Sequence, residues 1–199
     1  MTKTKKPQLY GSTLEGLRAI CEQLDLPRFA HKQIAKWLYT RFVTDIDAMT
    51  DLSKVARERL KEQCDLGLSA PLKVSTSSDG TKKYLFATSE GEYIESALIP
   101  DGERMTLCVS SQAGCRMGCK FCASTLGGLI RNLTASEMLE QIYAIERITG
   151  ETVSNVVVMG TGEPMDNYDN FVRFVRILSA KEGKNISVRN ITVSTCGIV

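Results

Sequence analysis

Val153-Ser154-Asn155-Val156-Val157-Val158-Met159-Gly160-Thr161-Gly162-Glu163-Pro164 decides the fold class. The β-branched run predicts a short strand over 153–159, and the glycine-rich turn behind it leads into a helix from about Asn167. That helix carries Phe171, Phe174, Val175 and Leu178 on one side, and a further strand is expected over 188–194. Upstream, Thr134-Ala135-Ser136-Glu137 reads as a capping box with Leu133 and Met138 at the staple positions. The helix behind it should bury Met138, Ile142 and Ile145, and Met105–Ser110 should form the strand before it. Strand, loop and helix alternating in this way are the pattern of parallel βα units, an α/β architecture. The sequence stops at Cys196-Gly197-Ile198-Val199, straight after a strand. A parallel sheet needs both faces covered, so the expectation is a fragment, or a subunit that requires a partner.

Toward the front the periodicity is helical. Ser12-Thr13-Leu14-Glu15 reads as a capping box ahead of Leu14, Leu17, Cys21 and Leu24. A second helix is expected over about 28–42 with Phe29, Ile34, Trp37, Leu38 and Phe42 buried, and a third from Ser53 with Val55, Ala56, Leu60 and Cys64. Cys21 and Cys64 are expected in the core. From Pro71 the pattern changes. Lys83–Ala87 and Tyr93–Ile99 around Ser89-Glu90-Gly91-Glu92 predict a β-hairpin. The expected division is a helical module over 1–70, a hairpin linker over 71–100 and an α/β core over 101–199.

Charge narrows the function classes little. The net charge is +2, with 15 Lys and Arg against 11 Asp and Glu before residue 91. That excess is a weak pointer to a polyanion, and taken alone a solvated surface explains it better. The basic opening, Met1-Thr2-Lys3-Thr4-Lys5-Lys6-Pro7, lacks the apolar stretch of a signal peptide, and no apolar run reaches membrane-spanning length. A cytoplasmic protein without membrane contact is expected, in which seven cysteines point to metal ligation or thiol chemistry.

Cys115-Arg116-Met117-Gly118-Cys119-Lys120-Phe121-Cys122 concentrates three of those thiols. Three thiolates can hold three corners of an iron–sulfur cube and leave the fourth iron open, which marks catalytic ligation. Gly114 and Gly118 allow the backbone to wrap such a group, and Phe121 could shield one of its faces. Zinc is the alternative, with a fourth ligand from Cys108 or His31, although the second ligand pair usual for zinc is missing. Otherwise Cys108 reads as a core cysteine, Cys196 as packing and His31 as a surface residue. Gly160-x-Gly162-Glu163-Pro164 could bring a ligand close to the backbone, with Glu163 accepting from an ammonium group.

Several words of this sequence resemble the RlmN/Cfr family of radical S-adenosylmethionine (SAM) RNA methyltransferases. They are Glu95-Ser96-Ala97-Leu98-Ile99-Pro100, Leu107–Cys115, Arg131-Asn132-Leu133-Thr134, Gly160–Asn167, Ser194-Thr195 and, in front, His31–Tyr39. The resemblance implies a partial radical SAM (β/α) barrel preceded by an RNA-binding helical domain. It implies a 4Fe-4S cluster on Cys115, Cys119 and Cys122, SAM on Gly162, Glu163 and Ser194, Glu95 as general base, and Cys108 resolving an enzyme–RNA intermediate through a transient disulfide. The reaction so implied methylates carbon 2 of adenine in 23S rRNA and tRNA, with an electron donor such as flavodoxin or ferredoxin. A SAM-derived radical activates a methyl-cysteine that the family carries near its C-terminus. That cysteine falls outside these 199 residues, so the chain alone is expected to be inactive. The sister reaction at carbon 8 shares these motifs, and a zinc-stabilised nucleic-acid-binding module is the non-enzymatic alternative. Lys32, Lys36, Arg41, Arg57, Arg59 and Lys61 are the expected phosphate contacts.

Overall fold

The computed structural model describes residues 6–67, 70–88 and 90–198. Most of the basic opening (residues 1–5), Ser89 of the hairpin turn and the terminal Val199 lie outside the described residues. Three helices come first: α1 (Leu14–Gln23), α2 (Ala30–Tyr39) and α3 (Lys54–Gln63). Then follow β1 (Lys73–Thr76), β2 (Lys82–Ala87), β3 (Tyr93–Asp101), β4 (Arg104–Cys108), β5 (Gln112–Gly114) and β6 (Leu129–Asn132). The chain continues through α4 (Ala135–Thr149), β7 (Asn155–Val158), α5 (Tyr168–Ser179) and β8 (Ile191–Val193). One six-stranded sheet runs β1-β2-β3-β4-β7-β8, and β5 pairs with β6 apart from it. β1 to β4 are antiparallel, whereas β4, β7 and β8 are parallel. The fold is therefore mixed α/β.

α4 organises this arrangement. Thr134 and Glu137 form the expected capping box, and Gly150 closes the helix at φ 72°. Every residue from Ala135 to Glu146 is buried, so the helix is covered all round and not on one stripe. One side meets the sheet, where Ser96 Oγ donates to Gln141 Oε1 at 2.7 Å. The other meets the front helices: the Tyr143 ring lies 5.7, 6.1 and 5.0 Å from the rings of Tyr10, Tyr39 and Phe42. Gly11 passes so close to the first turn of α4 that a Cβ would lie 2.4 Å from the Ser136 nitrogen. Helices and sheet consequently share one apolar core running from Leu9 to Ile186.

Several expectations are corrected. Thr13, not Ser12, caps α1 by accepting from the Gly16 amide, while Ser12 Oγ donates to the Gln8 carbonyl. With Gly16 at the third helical position there is no box. Phe29 and Val55 are exposed, because α2 and α3 pack through Ile34, Leu38, Ala56 and Leu60 on other faces. Residues 188–190 form a 3-10 turn with Val188 exposed, so the last strand is only Ile191–Val193. β1 and the β5–β6 pair had no expectation at all. Cys21 and Cys64 are core residues as expected.

Gln141 is the buried polar centre of α4. Its Oε1 also accepts from the Ser110 amide at 2.8 Å, and its Nε2 donates to the Ser110 carbonyl at 2.9 Å. Gln141→Leu would leave both Ser110 backbone groups unpaired in the core. A loss of about 2–4 kcal/mol in urea unfolding is expected, against little change for an exposed control such as Gln23→Leu.

Candidate cofactor-binding site

The carboxyl ends of β4, β7 and β8 lie side by side, and the loops leaving them are bonded to one another. The Ser111 and Gln112 amides both donate to the Thr161 carbonyl, at 2.9 and 3.1 Å, and the Thr161 amide donates to Ser110 Oγ at 2.9 Å. The glycines of the 160s loop are explained by this contact. A Cβ on Gly160 would meet the Val109 carbonyl at 2.7 Å, and one on Gly162, at φ 110°, would meet Gln112 Cβ at 2.6 Å. The side on which each Cβ would stand is filled by the chain's own first loop.

Glu163 follows, buried to 4% exposure. Its Oε1 accepts from the Met165 amide at 2.9 Å and its Oε2 from the Cys196 amide at 2.7 Å. Its own amide donates to Gln112 Oε1 at 2.8 Å. Burial opposes ionisation, but the donated amides outweigh it and hold the carboxyl below its ordinary value. Glu163 is thus a fixed anion with lone pairs left over, which suits an ammonium partner. Ser194 is exposed directly after β8, and Cys196, expected in packing, is exposed beside Glu163.

The cysteine loop is an excursion between β5 and β6. Gly114 opens it at φ 74°, where a Cβ would lie 2.0 Å from the Gly128 carbonyl. Gly118 turns its tip at φ 71° with nothing within 4 Å of a Cβ. Cys115 is buried, Cys119 and Cys122 are half-buried, and all seven cysteines of the chain are free thiols without a disulfide. Among the described residues no three His, Cys, Asp or Glu side chains are gathered closely enough to hold a metal ion, with or without Cys108 or His31. The three thiols share a loop without meeting at one centre. Phe121, expected to shield, is 94% exposed. Three free thiols, with no nitrogen or oxygen donor among them, still match the donor chemistry of an iron–sulfur group better than that of a hard cation.

Glu95 and Cys108 fall on one face of the sheet. Cys108 pairs with Ala97 on β3 and Val157 on β7, and Glu95 is two residues from Ala97, so the four side chains point away from α4. Cys108 is half-buried and not in the core, and burial pushes its thiol up despite an amide bond from Met159. Glu95 Oε1 lies 2.9 Å from Lys83 Nζ.

Sequence reasoning missed Gln112 and Asp166. Gln112 is fully buried, and its Nε2 donates to Asn132 Oδ1 at 2.7 Å and Asp166 Oδ2 at 3.0 Å. Arg116 pairs with the other Asp166 oxygen. Neither contact has a local signature, since the partners lie 54 and 50 residues apart.

Asp166 titrates below its ordinary value, chiefly through the hydrogen bond from Arg116. A depressed folded-state value contributes stability that is complete above the ordinary carboxylate range, ~4, and is lost as pH falls through the lower folded-state value. Asp166→Asn should therefore flatten the acid side of the stability–pH curve in urea unfolding at stepped pH. An unaltered acid slope would contradict the pairing.

A family model described as the ribosomal RNA large subunit methyltransferase N-terminal domain matches residues 7–66, and one for the radical SAM superfamily matches residues 109–199. A probable dual-specificity RNA methyltransferase RlmN from Lachnoclostridium phytofermentans is 52% identical over 197 residues, covering 98% of this chain and 55% of the relative. Another of the same description from Bacteroides fragilis is 47% identical, covering 97% and 56%. The crystal structure of a radical SAM methyltransferase from Sphaerobacter thermophilus superposes with a TM-score of 0.88 at 43% identity, covering 96% of this chain and 57% of that one. The chain spans about half the length of the curated relatives it matches. With two domain models matching in order and such identity along nearly its whole length, the chain carries an RlmN-type N-terminal domain followed by a radical SAM domain.

Proposed function

We propose that this chain supplies the RNA-binding module and the cofactor-binding half of a radical SAM methyltransferase acting on carbon 2 of an adenine in 23S rRNA and tRNA. The observation that carries this reading is the set of three free thiols on one loop, leaving the same strand ends as the ionised Glu163. Residues 1–70 would be the RNA-binding domain, 71–100 the hairpin linker and 101–199 the first part of a radical SAM (β/α) barrel. In a closed barrel the sheet face bearing Glu95 and Cys108 would line the interior.

Cys115, Cys119 and Cys122 would hold a 4Fe-4S cluster, and Gly162, Glu163 and Ser194 the methionine end of SAM. Bound together, cluster and SAM supply one-electron reductive cleavage of SAM, with the electron from a flavodoxin- or ferredoxin-type donor. Glu163 neutralises the SAM ammonium. Glu95, steadied by Lys83, accepts the proton that leaves the adenine ring. Burial keeps Cys108 a protonated thiol at neutral pH; it would form a disulfide only with the sulfur of the enzyme–RNA intermediate, that sulfur's bond to the transferred carbon breaking as the S–S bond forms and the thiol proton passing to the released carbon. Free thiols and a reductive reaction both suit the cytoplasm. Among the described residues no helix is long and apolar enough to cross a membrane.

The front module divides its cations. Arg57 donates to the Asp47 carbonyl, Arg59 to the Leu24 and Asp25 carbonyls, and Lys61 pairs with Asp47, so these three hold the module together. Lys32 and Lys36 point outward from α2, and the Arg41 guanidinium stacks 4.1 Å over the Trp37 ring. The α2 face is therefore the better candidate for RNA phosphates.

Two outcomes test the reading. Anaerobic loading with iron and sulfide should give a brown protein in the wild type and a colourless one after Cys119→Ala. A colourless wild type retaining one zinc would favour the non-enzymatic module instead. In RNA binding at stepped salt, Lys32→Ala and Lys36→Ala should each lower the log–log salt slope by roughly 1, whereas Arg59→Ala should mainly destabilise the fold.

A further inference from the structure

The cysteine loop is anchored well at its base and poorly at its tip. At the base, β5 and β6 pair with each other, Gln112 joins Asn132, and Arg131 binds Glu137 in a two-pronged pair at 2.7 and 2.9 Å and Glu92 at 3.0 Å. Beyond the base the loop bonds almost wholly to itself. Cys115 is paired with Gly128, Cys122 with Cys119, and Thr125 Oγ1 with the Cys122 carbonyl. Phe121 and Leu126 are 94% and 88% exposed and contribute no packing. Among the described residues, one hydrogen bond links residues 116–127 to anything outside the loop, and it is the ion pair between Arg116 and Asp166.

The far end of that pair is rigid. The Asp166 side chain is 8% exposed and is also held by Gln112, and its amide donates to the Glu163 carbonyl at 3.1 Å. Asp166 thus belongs to the same turn as Glu163, and that turn is bonded to Gln112 and Cys196. The guanidinium beside Cys115 therefore refers the position of the thiols to the position of the carboxylate. Two groups that must grip different ends of one ligand need such a reference, because a loop free at its tip samples many separations.

We propose that Arg116 is a positioning residue whose pairing with Asp166 holds the cysteine loop in register with the Glu163 carboxylate. The cofactor part of this inference rests on the proposed function, whereas the tether itself does not. Lys at position 116 can keep the charge pair and Gln cannot, so a tether separates the two variants and mere space filling does not.

The test uses this chain as wild type, Arg116→Lys, Arg116→Gln and Asp166→Asn. Amide hydrogen exchange without cofactor should be about tenfold faster across 118–126 in the Gln and Asn variants and near wild type in the Lys variant, with α4 unchanged in all four as the fold control. Loop exchange equal to wild type in Arg116→Gln and Asp166→Asn would overturn the tether. After anaerobic loading with iron and sulfide, iron per chain should be the same in all four. SAM, followed by its effect on the electron paramagnetic resonance of the reduced cluster, should half-saturate at about tenfold higher concentration in the Gln and Asn variants. Equal half-saturation would overturn the register while leaving the looser loop standing. A wild type that takes up no iron would count against the proposed function alone, with the exchange result still deciding the tether.

Discussion

Gln141 sits in the middle of the stretch of α4, Ala135 to Glu146, that is buried throughout, and both ends of its amide are occupied by Ser110. Ser110 is where the chain leaves β4, so this one side chain fixes the direction in which the following loop departs. Ser96 on β3 shares the same amide oxygen, which ties the hairpin to the helix as well. A buried amide is tolerable only when all its hydrogen-bonding capacity is used. The cost of breaking any part of such a set makes the arrangement specific as well as stable. Everything at the strand ends inherits its position from this contact.

Charge is used in the same economical way around the cysteine loop. Arg131, with a side chain only 16% exposed, faces Glu137, Glu92 and Glu90, and the two-pronged bond to Glu137 raises its basicity further. The pair with Glu137 also reaches the α4 cap, because the same carboxylate accepts from the Thr134 amide at 2.9 Å. The hairpin turn, β6 and the first turn of α4 are thereby joined through one guanidinium. Arg116 does the equivalent task for the loop tip with a single bond. The contrast between a crowded base and a lightly held tip is built into the fold by where the carboxylates stand.

What could be read from the residues alone was whatever is local. Thr134 and Glu137 reveal the cap of α4 because both partners lie within one turn, and the β-branched run reveals β7 for the same reason. At the front of α1, two adjacent hydroxyls compete for one cap, and only the backbone decides between Ser12 and Thr13. Phe29 and Val55 misled because an apolar residue near the helical period can still fall on the outer face. β5, three residues long, has no alternation to detect, and β1 is exposed along its whole length. At the candidate site the cysteines announce themselves by density, whereas Gln112, Arg116 and Asp166 matter through partners some fifty residues away. The glycines of the 160s loop were legible as glycines, but not their reason, which is the close passage of another segment.

The all-round burial of α4 also governs the order in which the molecule can assemble on the ribosome. Tyr10, Tyr39 and Phe42 leave the exit tunnel long before Tyr143, their packing partner, and the core is not closed until Phe174 and Ile186 have followed. The surfaces of the front module that meet Tyr143 therefore stay uncovered until α4 has been made.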